Sequence, residues 1–113
     1  MSNFKQDILD IVGDESIEGI VIGLYGWGGD YPCGYGEGPN VVPADKMCVV
    51  LSAKEALPWL DYEYSTGFGA PECHAVYAWT TTKVIHVSQY NGSTRLVALP
   101  RNPIDCMPLM SGG

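Results

Sequence analysis

Six residues in the last third of the chain combine the side-chain types that recognise a flat or charged ligand: Tyr77, Trp79, His86, Ser88, Tyr90 and Arg95. Within each run they step by two residues, the side-chain period of a β-strand, so each set can share one face of a sheet. Tyrosine and tryptophan rings supply stacking surface, a guanidinium supplies charge for an anion or a ring face, and an imidazole titrates near neutrality. That set suits a planar anionic small molecule or a patch on a protein partner. The competing use is structural, with the face covered by a helix or a second subunit, since half-buried aromatics are ordinary on strands.

A second group of aromatics, Trp27, Tyr31 and Tyr35, lies in the segment Gly26–Asn40, GWGGDYPCGYGEGPN, which has six glycines in fifteen residues. So much glycine forfeits backbone entropy without burying side chains, which predicts a loop. The loop holds no lysine and opens no phosphate-loop helix, so the functional expectation is a recognition loop presenting its rings, against the structural one of a loop that tucks them into the core. No catalytic residue is assigned. Cys73, His74 and His86 offer parts of a nucleophilic site without a recognisable signature. Asp61 and Glu63 read as solvated carboxylates. Cys33, Cys48, Cys73 and Cys106 include no CxxC pair, whereas structural zinc sites usually show a close ligand pair. Cys73 and His74 are adjacent and would point to opposite sides of a strand. The expectation is four reduced thiols, with no metal, no cofactor and no disulfide.

The elements that position these residues follow from pattern. Ser2 can cap a helix over NFKQDILDIV, with Phe4, Ile8, Ile11 and Val12 on one face and Gly13 at its end. Ile17–Tyr25 predicts a strand with Ile20, Ile22 and Leu24 on one side and Gly19, Val21, Gly23 and Tyr25 on the other, a face small enough for close packing. Lys46–Leu51 predicts a short strand. Ser52 and Glu55 form a capping box opening a short helix that Pro58 limits to about two turns. Residues 61–72 read as a second loop. The runs 73–80, 83–90 and 93–99 predict three strands joined by Thr81-Thr82 and by Asn91-Gly92, the latter a strong two-residue hairpin signal. Counting outward from these turns sets Tyr90 opposite Ser93, Ser88 opposite Arg95, His86 opposite Val97 and Val84 opposite Leu99. It also sets Trp79 opposite Val84, Tyr77 opposite His86 and Ala75 opposite Ser88. Val76, Ala78, Ile85, Val87, Leu96 and Ala98 then form the core face. Pro100 and Pro103 end the sheet and leave 100–113 as an extended tail. The fold class expected is α+β: a small antiparallel sheet with a C-terminal three-stranded meander, one N-terminal helix and one short helix.

At 113 residues the chain has the length of a single domain, 1–113, with room for one core. Hydrophobic residues are 46% and charged residues 17% of it, a balance unlike that of a disordered chain. The small share of charge also favours an oligomer or a tight partner. A net charge of −7 opposes generic nucleic-acid binding. No apolar run reaches the roughly 20 residues of a membrane span, and residues 1–10 lack the layout of a secretory signal. A cytoplasmic location is therefore expected.

Two resemblances bear on function. Met110-Ser-Gly-Gly113 resembles the di-glycine end of ubiquitin-like sulfur carriers, over these few residues only. Tyr77-Ala-Trp-Thr80, Gln89-Tyr-Asn-Gly-Ser-Thr94 and Pro100-Arg-Asn-Pro103 resemble small phage-encoded proteins of unassigned function. The second resemblance implies an accessory protein in the host cytoplasm that binds a host defence protein or sequesters a small ligand. The expected function is thus a non-enzymatic binding protein, an inhibitor acting stoichiometrically. An oligomeric binder of a nucleotide-like ligand is the alternative, followed by an enzyme or a di-glycine-tailed carrier.

Overall fold

The computed structural model describes residues 1–26, 41–90, 92–108 and 110. It is an α+β fold in which helices and a small two-stranded sheet lie on one side of a four-stranded antiparallel sheet. A two-residue strand, β1 (Ser2–Asn3), leads directly into helix α1 (Phe4–Val12). Asn3 rather than Ser2 caps the helix, its side-chain oxygen accepting from the Gln6 N–H at 2.9 Å. Ser2 is instead taken up by β1, which pairs with β3 (Glu63–Tyr64) inside the segment expected to be loop. Phe4, Ile8 and Val12 are buried, and Gly13 ends the helix at φ +61°, donating to the Leu9 carbonyl.

The large sheet runs in the order β2 (Ile17–Tyr25), β4 (His74–Thr80), β5 (Lys83–Tyr90), β6 (Ser93–Pro100), all antiparallel. β4–β6 form the expected meander, and six of the seven counted pairs occur, from Tyr90–Ser93 to Tyr77–His86. The seventh does not: pairing of β4 with β5 stops at Tyr77–His86, so Ala75 and Ser88 are not in register. Ile20, Ile22, Val76, Ala78 and Ile85 face the core beneath α1, with Val87, Leu96 and Ala98 partly buried against it. Tyr62 and Tyr64, expected in a loop, are core residues, because the β1–β3 pairing draws their segment under α1. The Phe4 N–H donates to the Tyr62 carbonyl, and the Phe4 and Tyr64 rings meet edge to face at 5.1 Å.

Two further expectations change. Residues 46–51 do not form a strand. A 3₁₀ turn at Ala44–Lys46 precedes a stretch that touches the edge of β2 through Cys48 N–H to Ile22 O and through reciprocal bonds between Ile20 and Leu51. Cys48 has φ +60°, a left-handed conformation that regular strand pairing does not accommodate. The capping box does form: Ser52 Oγ accepts from the Glu55 N–H, opening α2 (Ala53–Ala56), and a 3₁₀ turn at Leu57–Leu60 carries Pro58.

Edge strand β6 is blocked at both ends. The Thr94 N–H, which points away from β5, donates to the Thr66 carbonyl, and Ser93 bridges to Phe68. By strand alternation Pro100 occupies the same outward position and has no N–H to offer, so it blocks extension at the other end.

Candidate recognition face

The register places Tyr77, Trp79, His86, Ser88, Tyr90 and Arg95 on the sheet face opposite the core. Val21 of β2 joins them through its pairing with Tyr77, and Val84, Val97 and Leu99 complete the row. Helix α2, the short helix that could have covered this face, packs against β2 beside the buried Ala56 and Leu60 of the core. Tyr77 and Tyr90 are 57% and 53% exposed, while Trp79, His86 and Ser88 are half-buried. Fully solvated rings would tumble; these are held. Tyr77 and Trp79 meet edge to face with centroids 6.1 Å apart, and the Arg95 guanidinium carbon stands 6.0 Å from the centre of the Tyr90 ring. Arg95 is the one formally charged residue at the paired positions of this face.

His86 Nδ1 lies 3.2 Å from the Val87 carbonyl. A carbonyl oxygen only accepts, so the neutral ring carries its proton on Nδ1 and leaves Nε2 as an acceptor. Beside it, where β4 and β5 part, a hollow of about 330 Å³ is lined by Val21, Gly23, Cys48, Ala75, Val76, Tyr77, His86 and Val87. A second hollow of about 360 Å³ adjoins it and includes Cys73 and Gln89. Trp27, Tyr31 and Tyr35 of the expected recognition loop lie outside the described residues, as does the terminal Gly-Gly.

The Cys73–His74 pair is not a nucleophilic site. Both side chains are buried, at the start of β4. Burial pushes the Cys73 thiol up to about 12, so it is not a thiolate at neutral pH. Burial lowers His74 to about 4. Its Nδ1 takes a hydrogen bond from the Tyr62 hydroxyl at 2.8 Å, while that hydroxyl accepts from the His74 N–H, also at 2.8 Å. The Nε2 atom then carries the proton, and it is buried with no hydrogen-bond partner among the described residues. The Tyr25 ring stands edge-on to the imidazole at 5.2 Å.

Cys48 is disulfide-bonded, which overturns the expectation of four reduced thiols. Wide sequence spacing does not oppose pairing, because proximity in the fold decides it. Cys73 and Cys106 are free, buried and exposed respectively. Among the described residues no cluster of three or more His, Cys, Asp or Glu could hold a metal ion, and no helix is long and apolar enough to cross a membrane.

Glu15, which the sequence pattern does not single out, locks the Thr81-Thr82 hairpin. Its carboxylate accepts from Thr80 Oγ1, Thr82 N and Thr82 Oγ1 at 2.8–2.9 Å and pairs with Lys83 at 3.3 Å. These hydrogen bonds, Thr80 first, lower its pKa to about 2. The lock fixes the turn from which Trp79 and Val84 depart, and so the register of the face. No protein-family model matches the chain, and neither a curated protein nor a solved structure matches it.

Proposed function

We propose that this protein acts by stoichiometric, non-enzymatic binding of a protein partner, as an accessory inhibitor would, through the outer face of its four-stranded sheet. One observation carries the reading: held but half-exposed aromatic and aliphatic side chains fill a sheet face on which Arg95 is the one formal charge at the paired positions, with the Arg101–Glu18 ion pair beside Trp79 at its margin. Interface centres are enriched in Tyr, Trp and Arg and depleted in other charges. The rest of the chain is acidic, at −7 overall, and such a surface discourages indiscriminate contact with nucleic acid. Arg95, oriented by Tyr90, suits a carboxylate or carbonyl group on the partner. The protected β6 edge favours the face over strand addition as the mode of contact.

Photo-crosslinking tests this. A benzophenone amino acid is placed at Tyr77 on the outer face or at exposed Lys54 on α2, in cells of the natural source. A single one-to-one adduct with another protein is expected from position 77 and not from position 54. Equal adducts from both positions, or adducts of the chain with itself alone, refute the reading.

A further inference from the structure

The hollow beside His86 is more specific than the face around it. It exists because two features coincide. Gly23 and Ala75 put almost no side chain on neighbouring strands; a Cβ built on Gly23 would already come within 3.4 Å of the Ala75 methyl. In addition, β4 and β5 separate beyond the Tyr77–His86 pair, so the space extends between the strands to Val76 and Val87, residues of the core-facing rows. Its volume of about 330 Å³ sits at the lower end of the range for ligand pockets, room for one ring system and little more. Its walls are otherwise apolar, with the Tyr77 ring on one side. His86 supplies the imidazole of the lining, and with its Nδ1 turned to the Val87 carbonyl, Nε2 is the ring atom left to accept.

We infer that this hollow is the anchor socket of the face and takes one aromatic side chain of the partner that carries a ring donor, a tryptophan N–H or a tyrosine O–H, with His86 Nε2 accepting. This rests on the proposed protein-binding role and names the group recognised. A phenylalanine would fill the space but leave the acceptor unpaired. An anionic ring finds no cation lining the hollow, since Arg95 is not among its walls.

The test uses the intact protein and N-acetyl-tryptophanamide, followed by amide NMR shifts. Binding on the order of 1 mM is expected for so small a probe, with shifts at Val21, Gly23, Ala75 and His86. The 1-methylindole analogue, which lacks the donor, should bind roughly 3- to 10-fold more weakly, the value of one hydrogen bond. His86→Phe should abolish that preference while retaining binding of both probes. Gly23→Val should close the hollow to both, and Ala75→Leu serves the same purpose should the first variant fail to fold. Equal binding of the two probes, shifts elsewhere, or tighter binding of adenosine monophosphate than of N-acetyl-tryptophanamide would each overturn the inference. The outcomes separate from those at Tyr77: probe binding with no partner adduct leaves the socket and removes the proposed role, and an adduct with no donor preference does the reverse.

Discussion

Lowering the pH from 7 to 4 is expected to destabilise the protein chiefly through one residue, His74. The side chain is 0% exposed, and burial holds its pKa near 4, against about 6.5 for an unfolded histidine. Between these values the unfolded chain binds a proton that the folded chain refuses. Stability from this residue is therefore complete above about pH 6.5, declines as pH falls, and stops declining near pH 4. A separation of that size corresponds to roughly 3 kcal/mol, a large part of the stability of a small domain. Glu15 overlaps the window only at its acid end, since its contribution begins to fall as pH drops through about 4.5, and it does so in both proteins alike. The measurement is the free energy of urea unfolding at half-unit intervals from pH 7.5 to 4.0, for the parent and for His74→Phe. The variant leaves the Tyr62 hydroxyl hydrogen without its acceptor, so its absolute stability should drop at every pH. Its profile, however, should be flatter than the parent's by about the 3 kcal/mol assigned to the imidazole. Comparing slopes also cancels every contribution common to both proteins. A parent profile that is flat from 6.5 to 4, or a variant equally steep, would refute the buried neutral imidazole.

Glu15→Gln should lower the melting temperature at pH 7, and the difference from the parent should shrink as pH is taken from about 4.5 toward 2, where the carboxylate itself protonates; a constant difference would mean the hairpin lock does not depend on charge. Gly92→Ala should cost on the order of 1–3 kcal/mol in urea unfolding, because φ is +81° there and a Cβ would meet the Phe68 ring at 3.2 Å; an unchanged midpoint would place the turn elsewhere. Under native conditions a maleimide should label Cys106 rapidly and Cys73 only as fast as the domain opens; comparable rates at both would contradict the burial of Cys73.

The face was legible in the sequence because it depends on counting. Asn91-Gly92 and Thr81-Thr82 mark two short hairpins, and alternation then carries Tyr77, Trp79, His86, Ser88, Tyr90 and Arg95 to one side without any knowledge of the core. The counting ends at Ala75, where β4 and β5 part, and the hollow begins there; a local opening of a ladder leaves no mark in composition or period. The β1–β3 pair was hidden for a related reason. Two residues a strand is too short for periodicity, and Ser2 pairs with Tyr64 across most of the domain. Tyr62 and Tyr64 therefore read as loop residues until that pairing buries them. Glu15 and the Thr81-Thr82 turn are equally non-local partners. Cys48 shows the limit of spacing arguments, and its disulfide removes reduced thiols as a ground for a cytoplasmic location.

Calorimetric titration of the partner recovered at Tyr77 into parent, Arg95→Ala and Ile85→Val proteins tests the outer face most directly. Arg95→Ala should weaken binding by about 1.5–3 kcal/mol, the scale of a charge-assisted hydrogen bond, with its urea midpoint unchanged because the side chain is exposed. Ile85→Val, buried in the core and outside the hollow, should lose about 0.5–1.5 kcal/mol of stability and keep its affinity. Parent-like affinity in Arg95→Ala, or unfolding of that variant, would contradict the assignment of this face as the binding surface.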